Sequence, residues 1–358
     1  MLTALYLLVA AVTVCSAAVN ETTGCTDYTD CSSCMQGVDK NNGSCDWCVS
    51  DKKCYGVLNA CPTHLRVQEH FNCPRNNSVE YDEVFAKDIV LPLLAAAAAP
   101  NKTTWQECMD SNIVDAEMIK NYTVHCGFDR KATCFAYMAK IKSANAIAVS
   151  FRGPTDTKLD PYGGILVFSG KMSNVTELNT AVDSMYNTVF EKFWKQMRPD
   201  INDTLINSSP NEIWVVGHSY GGALASLLAL VLSQSNIMDS SVMLKLVTFG
   251  EPRIGDVEYA ELHDKLLPYS FRIINKNDIV PTLLLRKDPY VKSGPFHPRL
   301  EVWYPLGMGE DAEYRVAEMD EDGFASSSSI NLSLIDHLFM FEKEISTWWK
   351  SKCKDESS

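Results

Sequence analysis

Short apolar runs alternate with longer amphipathic stretches along most of the chain. The apolar runs predict β-strands at residues 146–151, 165–168, 213–216, 245–249, 271–274 and 300–304. Helical spacing of apolar residues predicts helices at 82–99, with a kink at Pro92, and at 175–196, 223–233, 257–266 and 334–350. Polar stretches at 202–210 and 326–329 predict surface loops. Because strands alternate with helices, the pattern predicts an α/β fold with a mostly parallel central sheet flanked by helices.

The sequence Gly-His-Ser-Tyr-Gly at residues 217–221 lies between one of these strands and the next helix. A strand that turns sharply into a helix holds the middle residue, Ser219, in a strained and exposed position. Glycine at 217 and 221 lets neighbouring backbone approach closely. The turn would place the backbone N–H of Tyr220 and the positive end of the helix beside the serine oxygen, where an oxyanion would develop. We therefore predict that Ser219 is a nucleophile and that His218 packs under the turn.

An acid follows the serine in the chain. Asp278 lies just beyond the predicted strand at 271–274, at the carboxyl edge where parallel sheets gather their ligands. A turn or capping role is the alternative for this residue, since aspartate is common in both. The preceding serine favours the interpretation of Asp278 as part of a catalytic site.

Seven histidines compete for the role of the base. Five are set aside: His64, His70 and His125 precede the serine, His218 belongs to the turn, and His263 lies on an expected surface helix. Of the two that follow Asp278, His297 lies in a rigid proline-flanked loop and His337 lies at the start of the last predicted helix. We favour His337, because a loop-to-helix junction can present an imidazole while the helix anchors it. A surface or structural role remains the alternative for both.

Six stretches in a fixed order resemble the class 3, or fungal-type, lipases. They are Val-Ser-Phe-Arg-Gly at 149–153, the stretch at 216–225 around the serine, Thr-Phe-Gly-Glu-Pro-Arg-Ile-Gly at 248–255, Asn-Asp-Ile-Val-Pro at 277–281, His297 with 300–304, and Asp-His at 336–337. The resemblance implies an α/β-hydrolase domain at residues 80–353. It also implies a triad of Ser219, Asp278 and His337, in the chain order of that fold, with His297 near the site but outside the triad.

The resemblance implies a secreted serine carboxylic-ester hydrolase, and first of all a lipase that acts on acylglycerols through an acyl-enzyme intermediate. No metal or organic cofactor is needed. The alternatives are a phospholipase, a carboxylesterase for non-lipid esters, and a non-catalytic docking protein. The substrate would be a lipid or another ester, and transient contact with a lipid surface is compatible with this interpretation.

The chain departs from the family pattern after residue 153. The family usually places Ser or Thr there as the second oxyanion donor, but Pro154 has no backbone N–H. We predict that Thr155 supplies this donor, and that Tyr220 supplies the first. Residues 155–164, where a lid would follow, contain a proline and two glycines and form no clean amphipathic helix. We therefore expect a short or irregular lid with weak interfacial activation.

The first residues predict export from the cytoplasm. An apolar run at 2–14 is too short to span a bilayer comfortably, and Cys-Ser-Ala-Ala follows at 15–18 as a small-residue cleavage pattern. We predict a signal peptide at residues 1–17, with a membrane anchor as the alternative. The mature protein is then extracellular or lies in the lumen of the secretory or lysosomal pathway.

Cysteine usage agrees with an oxidising compartment. Eight of the thirteen cysteines crowd into one segment, at positions 25, 31, 34, 45, 48, 54, 61 and 73, which predicts a disulfide framework. Two Cys-x-x-Cys pairs leave zinc as an alternative. The spacing resembles the PSI (plexin-semaphorin-integrin) module over about residues 24–74, which implies a spacer or docking role with an unknown protein partner.

Four cysteines lie in the predicted hydrolase domain. Cys126 and Cys134 could close a small loop. Resemblance to the fungal-type lipases then implies that Cys108 and Cys353 tie the early part of the domain to its C-terminal end. Other pairings remain open at this stage.

Charge and composition exclude some functions. The net charge of −13 disfavours a nucleic-acid partner and an anionic membrane, since both attract basic surfaces. Nine Asn-x-Ser/Thr tripeptides predict a glycosylated surface. A catalytic region of this length can bury one large core.

Overall fold

The structure is a computed structural model that describes residues 24–56, 61–62, 65–74, 78–126, 131–155, 169–284, 295–317, 319 and 325–355. The predicted signal peptide, the predicted strand at 165–168 and all of the expected lid except Thr155 lie outside the described residues. The chain divides into two compact units, Met1–Cys73 and Pro74–Ser358. No helix within the described ranges is long and apolar enough to cross a membrane.

The first unit is small and rich in disulfides. It contains helix α1 (Cys31–Met35) and strands β1 (Asp46–Cys48), β2 (Lys53–Tyr55) and β3 (Arg66–Val67), which form an antiparallel sheet in the order β2-β1-β3. Its disulfides are Cys25–Cys45, Cys31–Cys73, Cys34–Cys54 and Cys48–Cys61. All eight cysteines of the segment are thus oxidised, so the zinc alternative has no thiolate ligand there. Cross-links replace the large apolar core that so short a segment cannot build.

The second unit carries the remaining strands and helices. Its strands are β4 (Ala116–His125), β5 (Thr133–Ile141), β6 (Ala146–Thr155), β7 (Met172–Val175), β8 (Thr180–Asp183), β9 (Glu212–His218), β10 (Met243–Phe249), β11 (Tyr269–Asn275), β12 (Glu301–Tyr304), β13 (Arg315–Ala317), β14 (Phe339–Met340) and β15 (Lys343–Glu344). Its α-helices are α2 (Leu91–Ala97), α3 (Lys102–Asn112), α4 (Ser184–Ser208), α5 (Tyr220–Gln234), α6 (Val257–Leu266) and α7 (Ile335–Leu338).

Eight strands form one central sheet in the order β13-β12-β11-β10-β9-β6-β5-β4. The five inner strands from β6 to β12 pair in parallel, and the strands at both edges pair antiparallel. Strand β6 shows how the sheet divides the core: Ile147, Val149 and Phe151 contribute to one apolar cluster, whereas Ala146 and Ala148 contribute to the other. Successive side chains point to opposite faces and both faces are covered by helices, so the predicted α/β-hydrolase architecture is confirmed.

Two disulfides brace this unit. Cys126–Cys134 links the end of β4 to the start of β5, and Cys108–Cys353 joins α3 to the C-terminal segment. The side-chain amide of Asn112 also donates to the carbonyl oxygen of Cys353 at 3.0 Å. The two cysteine pairs are those named from the sequence.

Several predicted elements agree with the structure. Strands at 146–151, 213–216, 245–249, 271–274 and 300–304 are present, and the helix at 257–266 has the predicted bounds. The helix predicted at 82–99 begins with a π-helical stretch, Phe85–Val90, directly before α2. Pro92, where the kink was predicted, lies after this irregular stretch in the first turn of α2, where the missing N–H of proline is tolerated.

The helix predicted at 175–196 was wrong at its start, and the loop predicted at 202–210 was wrong for most of its length. Residues Met172–Val175 and Thr180–Asp183 pair as the hairpin β7–β8, in which Asn179 takes a positive φ of 55°. Helix α4 begins after this hairpin and continues to Ser208, because Ile201 and Leu205 still pack on the apolar core. It ends where Ser209 adopts a left-handed conformation.

The helix predicted at 334–350 was also wrong. The α-helix there is limited to the single turn α7, and a 3-10 turn follows at Trp348–Ser351. Between them lies the hairpin β14–β15, in which Phe341 and Glu342 have φ values of 47° and 63°. Phe341 is buried in the core, and its N–H contacts the sulfur of Met308. Tertiary packing therefore outweighs the local helical pattern. The predicted surface loop at 326–329 contains a 3-10 turn whose Ser326 is buried, because its N–H donates to Glu301 Oε1 at 2.8 Å.

Candidate active site

Ser219 lies at the sharp junction between β9 and α5. Its backbone has φ 58° and ψ −129°, which is a strained conformation for a residue with a side chain. Its N–H donates to the carbonyl oxygen of Phe249, at the end of the neighbouring strand β10, at 2.8 Å. The serine is therefore held in a defined position on rigid elements.

The glycines on either side of Ser219 permit this turn. A Cβ atom at Gly217 would lie 2.1 Å from the carbonyl oxygen of Gly221, and a Cβ at Gly221 would lie 2.4 Å from that of Phe151. Both distances are far below van der Waals contact. The end of β6 also packs closely on the start of α5, since a Cβ at Gly153 would lie 2.8 Å from Tyr220 Cβ. The spacing of small residues in the sequence thus reflects three close backbone approaches.

Asp278 and His337 form a buried pair. Asp278 Oδ2 lies 2.9 Å from His337 Nδ1, and both side chains are fully shielded from solvent. The other carboxyl oxygen of Asp278 accepts from the N–H of Val280 at 2.8 Å. This geometry places a proton on His337 Nδ1 and leaves Nε2 as the basic nitrogen. Nε2 is buried and has no hydrogen-bond partner among the described groups.

Two loops bring this pair together although the residues are far apart in the chain. The N–H of Ser333 donates to the carbonyl oxygen of Asn277 at 2.7 Å, and the N–H of Ile279 donates to that of Ser333 at 3.2 Å. The side-chain amide of Asn275 donates to the carbonyl oxygens of Asp336 and Phe339, at 3.1 and 2.8 Å. The loop that carries the histidine is therefore fastened to the loop that carries the aspartate.

His218 contacts His337 directly. The two rings stack at a centroid distance of 4.5 Å and an angle of 27°, and His218 Nε2 lies 2.8 Å from the carbonyl oxygen of His337. A carbonyl only accepts, so Nε2 carries the proton. Burial and the neighbouring His337 lower the pKa of His218 to about 3, so its ring is neutral at neutral pH. The sequence predicted packing under the turn but not the contact with the second histidine.

His297 and His263 take structural positions. His297 Nε2 lies 2.8 Å from the carbonyl oxygen of Pro281, in the segment that follows Asp278. His263 was expected on a surface helix, and this was wrong: it is 1% exposed, and its Nε2 lies 3.4 Å from the hydroxyl of Ser270. Helix α6 turns this histidine toward the sheet because it lies on the packed face, with Tyr259.

The two predicted oxyanion donors lie on different elements. Tyr220 is the first residue of α5, so its N–H belongs to the positive end of that helix. Thr155 ends β6, where its hydroxyl donates to the carbonyl oxygen of Thr133 at 3.3 Å and accepts from Arg152 Nη2 at 3.3 Å. Burial lowers the pKa of Arg152 to about 10, which leaves its guanidinium protonated at neutral pH.

Sequence reasoning missed the importance of the segment after β10. Gly250 has φ +55°, and a Cβ there would lie 2.6 Å from both Asp278 Oδ2 and His337 Nδ1. The neighbouring Glu251 is buried, and its carboxyl is hydrogen-bonded to the hydroxyl of Thr248. The sequence feature that could have pointed to this segment is the stretch at 248–255, which contains Gly250 and Glu251 directly after a predicted strand. Within the ranges described above, no group of three His, Cys, Asp or Glu residues could hold a metal ion.

Comparison with known proteins shows similarity to one family of lipases. Residues 148–287 match the profile of the lipase (class 3) family. A lipase of Caenorhabditis elegans is 29% identical over 304 residues, which span 76% of this chain and 83% of the relative. A lipase of Rhizomucor miehei is 34% identical over 219 residues, and the match spans 58% of this chain and about half, 54%, of that relative.

Solved structures show the same fold. Lipase II from Rhizopus niveus aligns with a TM-score of 0.60 at 22% identity, over 71% of this chain and 92% of its own. The triacylglyceride lipase of Rhizomucor miehei aligns with a TM-score of 0.60 at 24% identity, over 75% of this chain and 97% of its own. The fold, the sequence matches and the family profile agree. The chain is similar in sequence to the class 3 lipases, and it shares the α/β-hydrolase fold of these lipase structures.

Proposed function

We propose that this protein hydrolyses acylglycerols and that Ser219, His337 and Asp278 are its catalytic triad. One observation carries the proposal: a buried Asp278–His337 pair at 2.9 Å leaves His337 Nε2 without a hydrogen-bond partner among the described residues, and a strained serine lies at the elbow of the same sheet. Relatives named as secreted mono- and diacylglycerol lipases support the choice of substrate.

The reaction follows from the positions of these groups. Ser219 Oγ attacks the ester carbonyl carbon while His337 Nε2 takes its proton. Asp278 holds the proton on Nδ1 and stabilises the charged imidazolium without taking that proton. The tetrahedral intermediate collapses, His337 returns the proton to the departing alcohol, and an acyl-serine remains. Water, deprotonated by His337, then attacks the acyl group and releases the fatty acid and Ser219.

The developing oxyanion needs donors at the mouth of this site. The backbone N–H of Tyr220 and the positive end of α5 supply the first. We assign the second to Thr155, whose hydroxyl would turn from the carbonyl oxygen of Thr133 toward the substrate oxygen. The protonated guanidinium of Arg152, 3.3 Å from that hydroxyl, favours negative charge nearby.

The activity test uses purified protein and several ester classes. We expect release of fatty acid from emulsified mono- and diacylglycerols, and hydrolysis of a soluble p-nitrophenyl ester. The S219A variant should lose about 10⁶-fold in kcat, as in a serine protease without its nucleophile. Hydrolysis of phosphatidylcholine vesicles or of short soluble esters alone would favour a phospholipase or a non-lipid esterase. Equal activity of wild type and S219A would exclude the proposal.

We further infer that the protein works outside the cytoplasm. The support comes from six disulfides, which persist in oxidising compartments, and from the secreted relatives. Asn121 and Asn331, in two of the predicted glycosylation sequences, are exposed. N-terminal sequencing of the exported protein should find cleavage after residue 17, and a glycosidase should lower its mass. The disulfide-rich first unit is proposed as a docking module for another protein.

A further inference from the structure

The segment Phe249–Gly250–Glu251 contacts every member of the proposed triad. The carbonyl oxygen of Phe249 accepts the N–H of Ser219 at 2.8 Å. The α-carbon of Gly250 packs so closely on Asp278 and His337 that a Cβ would lie 2.6 Å from each. Whatever fixes this segment therefore fixes the serine, the acid and the base relative to one another.

Glu251 anchors the segment under the nucleophile helix. Its side chain is 1% exposed, and its carboxyl is hydrogen-bonded to the hydroxyl of Thr248, which is itself fully buried. A Cβ at Gly222, in the first turn of α5, would lie 3.3 Å from Glu251 Cβ and 3.4 Å from Thr248 Cβ. Glu251 thus packs against the first turn of α5.

The groups around this carboxyl are mostly neutral. Ser226 faces it from α5, Tyr259 from α6 and Tyr186 from α4, and the hydroxyls of Ser226 and Tyr259 lie 2.9 Å apart. Among the residues that the structure describes, Arg272 on β11 acts on it as a cation. The guanidinium of Arg272 is already paired with Glu301 at 3.4 Å and donates to the carbonyl oxygen of Pro298 at 2.9 Å.

We propose that Glu251 is a positioning residue for ester hydrolysis, and that it must be protonated to hold the segment 249–251 and the triad in place. The inference rests on the proposed function of the triad. A neutral carboxyl fits a dry site bounded by hydroxyl groups, whereas a carboxylate draws water or a countercharge and displaces the elements packed on it.

The electrostatics of the site agree with this role. Burial raises the pKa of Glu251 to about 7, and the hydrogen bond from Thr248, the charge on Arg272 and the nearby hydroxyl of Ser226 act in the opposite direction. The group is therefore protonated below neutral pH and loses its proton above it. Activity should therefore fall on the alkaline side, because Glu251 loses its proton and the segment 249–251 no longer holds the triad in place.

The test compares kcat/KM for p-nitrophenyl butyrate from pH 5 to 9 in wild type, E251Q and E261Q. Glu261 is exposed on α6, so E261Q makes the same chemical change away from the site. Taking the ratio of kcat/KM for E251Q to that for wild type cancels every pH dependence that the two proteins share. We expect this ratio to rise as pH passes 7 and to reach roughly 30-fold its acidic value at pH 8.5. The reason is that the protonated fraction of Glu251 in wild type falls about tenfold for each pH unit above its pKa. The E261Q ratio should stay flat.

A pH-independent ratio for E251Q, at any level of activity, would overturn the proposal. If E251Q does not fold, T248V provides the test. Losing the Thr248 hydroxyl raises the pKa of Glu251, so the alkaline decrease in kcat/KM must move to higher pH. An alkaline decrease at the same pH in T248V and wild type would then refute the positioning role of Glu251. Wild type without activity above S219A would instead remove the proposed function, so the two failures are distinguishable.

Discussion

Gly250 is the position at which a single methyl group should disable the site. G250A adds a Cβ 2.6 Å from both Asp278 Oδ2 and His337 Nδ1, where ordinary contact begins at 3.4 Å. The pair must therefore move by about 0.8 Å, and a misplacement near 1 Å can cost about 10²-fold in rate. The same substitution puts alanine at φ +55°, which costs roughly 1–2 kcal/mol of stability.

A matched glycine separates the two effects. Gly170 has φ +66°, but a Cβ there would meet nothing within 4 Å. We expect G170A to lose a similar amount of stability and to keep its kcat, whereas G250A loses about 10²-fold in kcat. Chemical denaturation and steady-state hydrolysis of a soluble ester measure both quantities. The reasoning is refuted if G250A keeps kcat within about fivefold of wild type, or if G170A loses kcat equally.

Three further predictions concern the surroundings of the triad. T155V should lower kcat by ~10²-fold, the usual loss for one oxyanion donor, and unchanged steady-state kinetics would show that Thr155 donates nothing in the transition state. H218F keeps a ring against His337 but loses the hydrogen bond to its carbonyl oxygen. Losing roughly 1.4 kcal/mol of transition-state stabilisation with this bond should lower kcat about tenfold. A change in KM alone would argue against a role of His218 in positioning His337. The pKa of Glu251 is raised from 4.5 to about 7 by folding, so its contribution to stability is fully present below pH 4.5 and is lost as pH rises through 7, by roughly 3 kcal/mol in total. Urea denaturation across this range should show a decline that E251Q lacks, and parallel curves would contradict the buried proton.

The parts of the fold that could be predicted are those specified by local sequence. The elbow at 217–221 requires its two glycines, because a Cβ at Gly217 or Gly221 would lie only 2.1 or 2.4 Å from a backbone oxygen. The strands beside it are continuous apolar runs. The edge strand β4 escaped prediction because every second position is open to solvent and two charged or polar residues interrupt the alternation. Its β-structure depends on pairing with β5, which no local pattern reveals.

The site was only partly predictable for a similar reason. Serine, acid and base could be ordered along the chain, but the contact of His218 with His337 depends on how two loops are fastened together. The C-terminal segment failed as a helix because Phe341 packs into the core with positive φ. The sequence carries no indication that Glu251 is buried, since charged residues are seldom fully buried. The groups around it come from five separate elements, α4, α5, α6, β10 and β11.

Covalent labelling of the serine tests the central claim most directly. A p-nitrophenyl alkylphosphonate, which mimics the tetrahedral intermediate, is incubated with the full chain, and peptide mass mapping then locates the adduct. We expect one adduct, on Ser219, whose rate of formation falls by at least ~10³-fold in H337N, because the serine then lacks its base. An adduct on another residue, or labelling of Ser219 at the same rate in H337N, would contradict the proposed triad.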